Sequence, residues 1–193
     1  KHLYYTTLAA TGDNKALDLI LEGFKSNNKA QKDAAFDALV SWKNINAADH
    51  LMAVCKDASA TAYFDRAIDA YIKLASNKTL TGENRLIYLR EAMAVAKTDK
   101  QKNAILKQVQ GTNTFQGLIF AGKYLDQKPV QQAAAQAVMN IALNNKNFTG
   151  EEVEALLNKV IDILDNPDAG YQKEGINKHL REVPMQKGFV SIF

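Results

Sequence analysis

Asn77-Lys78-Thr79-Leu80-Thr81-Gly82-Glu83 recurs as Asn145-Lys146-Asn147-Phe148-Thr149-Gly150-Glu151, with five of seven positions identical and 68 residues between the copies. That separation is two units of 34, a period of stacked helical pairs. Midway lies Gly111-Thr112-Asn113-Thr114-Phe115, and one unit earlier Lys43-Asn44-Ile45-Asn46, so polar loops fall at 43, 77, 111 and 145. This spacing predicts an all-α chain of helical hairpins.

The segments between the loops carry helical periodicity. Asp13 is expected to cap a helix with Ala16, Leu17, Ile20, Leu21 and Phe24 on its apolar face, ended by Asn27-Asn28. The next helix runs from Lys29 to Trp42, with Ala34, Ala35, Ala38, Leu39 and Trp42 inward and Lys32, Asp33, Asp37 and Ser41 outward. Leu51, Met52, Val54 and Cys55 mark a shorter helix, and Ser59 or Thr61 starts the one that carries Ile68, Tyr71 and Leu74. Thr81 is an expected N-cap, and Thr149 with Glu152 reads as a capping box. Pro129 and Pro167 are placed in first helical turns. Ten or eleven helices result, and the first strand-like residues come at Gly188.

Hairpins at this period predict a right-handed α-α superhelix. The Trp, Leu-Gly and Tyr pattern of tetratricopeptide repeats is absent. The irregular, alanine-rich stripes, such as Ala133, Ala134 and Ala137, resemble HEAT or armadillo repeats over residues 13 to 165. Residues 1–182 are read as a helical-repeat domain, and residues 183–193 as a linker and the truncated start of a following β-domain.

Composition narrows the function classes. Twenty-four basic and 21 acidic residues give a net charge of +3, too balanced to favour nucleic acid, and no run is apolar enough to span a membrane. Lys1 in place of Met is read as the start of a processed or excised piece. Cys55, the single cysteine, is expected to be a buried inert thiol. His2, His50 and His179 lie far apart without ligand spacing and read as surface histidines. Glu151, Glu152 and Glu154 cluster at a helix start, where the dipole favours negative charge. The residues therefore assign no catalytic, cofactor-binding or metal-binding role and no cofactor. Trp42 with Asp37, Lys43 and Arg66 raises a HEAT-like DNA glycosylase as an alternative, which the charge balance disfavours.

The end of the chain, Gly188-Phe189-Val190-Ser191-Ile192-Phe193, is β-like in composition. It resembles the opening of the 3-keto-disaccharide hydrolase family, a glycoside-hydrolase-related jelly-roll domain that follows helical regions in Bacteroidetes-type cell-envelope proteins. Pro167 to Gln172 and Ile176 to Leu180 are similar to the connecting segment. The resemblance implies a periplasmic or secreted carbohydrate-processing protein, in which this stretch is a non-catalytic interaction or spacer domain. Its expected partner is another protein or its own C-terminal hydrolase domain, with a glycan as a further candidate. An alternative is that it takes part in substrate handling by that hydrolase. Lys97, Lys107 and Gln108, on second helices of pairs, are expected near the interaction surface.

Overall fold

The computed structural model describes residues 2–182, and every regular element among them is helical. The strand-like end from Gly188 lies outside the described residues. Two compact units meet in the chain at Lys78 and Thr79, inside the first copy of the repeated phrase.

The first unit holds α1 (His2–Thr11), α2 (Asn14–Phe24), α3 (Lys29–Val40), α4 (Ala48–Lys56) and α5 (Phe64–Ala75). Gly12, at φ +68°, ends α1, and the Asp13 side chain accepts from the Lys15 amide to start α2. Asn28 does not close α2, which stops at Phe24; it caps α3 by accepting from the Gln31 amide at 3.1 Å. The side chain satisfies an amide left orphaned by the helix start, so the stop expected here is a start. Neither Ser59 nor Thr61 begins α5. Asp57 caps a 3-10 segment, Ala58–Tyr63, and α5 continues from it at Phe64. In this unit α2 packs on α3, α4 on α5, and α3 touches α1 and α5.

The second unit holds α6 (Gly82–Val95), α7 (Asp99–Val109), α8 (Phe115–Gly122), α9 (Gln131–Asn144), α10 (Glu151–Ile163) and α11 (Ala169–Glu182). Here α6 packs on α7, α8 on α9 and α10 on α11, while α9 also touches α7, α10 and α11. Its residues Ala134, Ala135, Ala137, Val138, Ile141 and Ala142 are fully buried. Small side chains allow helices on several sides of α9 to approach at once, which explains the alanine stripe.

The prolines stand earlier than expected. Pro129 lies in a turn before α9, with Val130 as N-cap, and Pro167 lies before α11. The two copies of the repeated phrase also start their helices differently. Thr81 caps α6, its hydroxyl accepting from the Asn84 amide at 3.2 Å. The cap of α10 is Gly150, at φ +118° and ψ 169°, and no side chain bonds to the helix start. The expected Thr149–Glu152 box is thus not formed, because a turn open only to glycine moves the helix start one residue along. A capping box does form elsewhere, between Thr98 and Gln101 at the head of α7.

Candidate functional site

Trp42 enters one set of contacts, and Asp37 and Arg66 another. Trp42 is 3% exposed, and its indole Nε1 donates to Asn46 Oδ1 at 2.7 Å, tying the end of α3 to the following loop. Asn46 Nδ2 in turn donates to Asn14 Oδ1 at the head of α2. Arg66 and Asp37 form an ion pair at 2.8 Å with both side chains more than half exposed. Such pairs contribute about 0–1 kcal/mol.

Around that pair is an aromatic cluster built by α2, α3 and the 3-10 segment. The rings of Phe24, Phe36 and Tyr63 lie 4.7–5.4 Å apart, with Lys32 Nζ over Phe24 and Tyr63 and the Arg66 guanidinium over Phe36. The Tyr63 hydroxyl donates to Asp33 Oδ1 at 2.7 Å, and Lys29 pairs with Asp33. Hydrogen bonds from Lys29 and Tyr63 hold the Asp33 carboxyl below the usual carboxylate range. The cations and acceptors of this cluster are matched to one another, so it staples the segment before α5 to α2 and α3.

The histidines separate. His50 is exposed on α4, and the side chain of His2 lies outside the described residues. His179 is 8% exposed, which corrects its reading as a surface residue: it falls on the face of α11 that also carries Ile176, three residues earlier, and that face is turned inward. It lines a cavity of about 30 Å³ with Phe148, Val153, Glu154 and Leu157. Burial, and the charge of Lys146, lower its pKa, with Glu182 opposing. Space of that size fits one or two waters. Cys55 is buried on α4. No group of three or more His, Cys, Asp or Glu side chains among the described residues is placed to hold a metal ion.

Glu151, Glu152 and Glu154 occupy the first turn of α10, where their charge faces the positive end of the helix dipole. Lys107 is exposed and Gln108 half-buried on α7, but Lys97 lies in the turn before that helix and not on it. No helix of the described residues is long and apolar enough to cross a membrane.

Two polar devices, one buried and one half-buried, emerge only when the helices are placed. Arg85, on α6, is 9% exposed and its Nη1 donates to the Gly111 carbonyl at 2.9 Å, just past the end of α7. The cation meets the negative end of that helix, and Asn113 at φ 51° then turns the chain away. On α9, Gln132, Gln136 and Asn140 recur every fourth residue and form one stripe. Their amides donate to Ile163 O at 2.7 Å, Gln172 Oε1 at 3.0 Å and Gln110 Oε1 at 2.9 Å. The signal was present as an amide repeat at helical spacing, but it names no partner until the helices are placed.

A wider concavity opens between α1, α2 and α3. This groove has a volume of about 410 Å³ and is lined by Tyr4, Tyr5, Leu19, Glu22, Gly23, Lys25, Ser26 and Gln31. A comparison with protein families finds no matching family model, and none of the curated proteins matches the chain.

Proposed function

We propose that this chain is a non-catalytic interaction or spacer module, a right-handed superhelical stack of HEAT-like hairpins that precedes a sugar-hydrolase domain in a secreted or periplasmic protein. The observation that carries the module reading is the regular contact order. In the first unit α2 packs on α3, α4 on α5, and α3 on α1 and α5; in the second α6 packs on α7, α8 on α9, and α9 on α7, α10 and α11. That order is what stacked hairpins produce, and such stacks present extended binding surfaces. The four loops keep their places: those after α3, α5, α7 and α9 fall at the spaced positions 43, 77, 111 and 145.

The carbohydrate part of the reading rests on Gly188-Phe189-Val190-Ser191-Ile192-Phe193 and its lead-in. The partner is another protein or the hydrolase domain itself, with a glycan as a further candidate. Deleting residues 1–187 from the full-length protein tests the proposal. A module of this kind predicts that hydrolysis persists while partner capture, or the stability of the remaining protein, is lost. Unchanged hydrolysis, capture and stability would refute it. A raised KM with folding intact would instead favour a part in substrate handling.

A further inference from the structure

We propose that the groove between α1, α2 and α3 is a saccharide subsite, holding an internal unit of a neutral oligosaccharide. The choice of a saccharide rests on the carbohydrate reading above as well as on the chemistry of the groove, which stands by itself.

Its floor is the Tyr5 phenol, 8% exposed and lying directly on Gly23 of α2. A Cβ at position 23 would collide with the Tyr5 hydroxyl, so glycine there lets the ring settle against the helix. The floor is fixed by a chain of hydrogen bonds. The Ser26 hydroxyl donates to Gln31 Oε1 at 3.2 Å, and Gln31 Nε2 donates to the Tyr5 hydroxyl at 3.0 Å. Polar groups already held in place lose little freedom when a ligand arrives. By its ordinary inventory a glutamine amide has a second N–H beyond the one given to Tyr5, and its oxygen has a second lone pair.

One wall is apolar and open to solvent, with Tyr4 at 55% and Leu19 at 41% exposure. Tyr4 and Tyr5 make an edge-type ring contact, centroids 5.9 Å apart, and more than half of the Tyr4 surface remains in solvent. The rim adds the Glu22 carboxylate and the Lys25 ammonium, whose charges cancel. An ionic ligand therefore gains little, and a wholly apolar one would strip water from five hydrogen-bonding side chains, Tyr5, Glu22, Lys25, Ser26 and Gln31. A pyranose satisfies both walls. Its C–H face packs on an aromatic ring, and its hydroxyls both donate and accept, matching amide, carboxylate and hydroxyl groups. The concavity is more open than enclosed, so a pyranose lying in it can belong to a chain that continues into solvent.

The test is calorimetric titration of the whole chain with maltohexaose, cellohexaose, laminarihexaose, xylohexaose and chitohexaose, each at millimolar concentration. At least one should bind saturably. Tyr4→Ala and Gln31→Ala should each weaken that binding roughly tenfold, Tyr4→Phe should leave it within about twofold, and all three should keep wild-type helical circular dichroism. Gly23→Ala, which displaces the Tyr5 ring, should weaken binding as well. Absence of binding to all five sugars, or binding that Tyr4→Ala and Gln31→Ala leave unchanged, would overturn the subsite. Either result leaves the hydrolase continuation to be judged separately from the gene sequence, and binding with no such continuation would keep the subsite while removing the hydrolase.

Discussion

Gly82 stands so close to the carbonyl oxygen of Thr112 that no Cβ fits between them. Its counterpart in the second copy of the repeated phrase, Gly150, has nothing within 4 Å of the missing Cβ and is required for another reason, its φ of +118°. One glycine admits a neighbouring backbone and the other turns the chain. The same letters thus serve two different physical needs.

The threonines before them separate these roles by experiment. Thr81→Ala removes a cap and should cost about 1 kcal/mol, whereas Thr149→Ala, which caps nothing, should fall within about 0.5 kcal/mol of wild type. Gly82→Ala and Gly150→Ala should each cost about 1–3 kcal/mol, the first by crowding Thr112 and the second by backbone strain. Urea unfolding of the four variants measures this. Equal losses at Thr81 and Thr149 would refute the asymmetry.

Arg85 holds the end of α7 through the Gly111 carbonyl. Arg85→Met keeps most of the side-chain bulk and deletes the charge-assisted bond, so it should destabilise by about 2 kcal/mol. Amide exchange should show the loss first at Gln110–Thr112, the 3-10 turn that follows α7.

Burial holds the His179 imidazole below its ordinary pKa of about 6.5. The native state then binds fewer protons than the unfolded chain. Stability from this group is full above about pH 6.5 and falls as pH drops toward the depressed native value. The urea midpoint should decline between about pH 7.5 and pH 5.5, before most carboxylates titrate, and His179→Leu should flatten that decline. A midpoint that rises on acidification would contradict the burial of the neutral ring.

The helix α9 touches α7, α8, α10 and α11, so its interior residues carry the second unit. Ile141→Ala, at a fully buried position, should cost about 2–5 kcal/mol. Gln136→Leu removes one half of the amide pair with Gln172, which joins α9 to α11; Gln172 Oε1 keeps the Asn166 amide as a donor, but Gln172 Nε2 loses its acceptor. It should raise exchange in α11 before α10.

Much of the helical layout was legible because the signals are local. Asp13, Thr81 and the loops at 43, 77, 111 and 145 depend on residues a few positions apart, and the structure places them where periodicity and capping rules do. The Thr98–Gln101 box is equally local. Other features depend on distant residues. His179 is hidden by the inward face of α11, Arg85 by the loop that contains Gly111, and the groove by three helices that bring Tyr4, Leu19 and Gln31 together. Gly150 shows the limit of a motif, since a repeated phrase fixes residue types and not the backbone angle that decides where the helix begins.

The central claim is that this helical module precedes a sugar-hydrolase domain. Sequencing the encoding gene beyond the Phe193 codon tests it most directly. The account predicts an in-frame continuation through Asn-Gly-Lys-Asp-Leu, the stretch that follows this opening in the 3-keto-disaccharide hydrolase family, into a long β-rich domain. A stop codon at that point, or an unrelated continuation, would contradict it and leave an all-helical chain without the hydrolase.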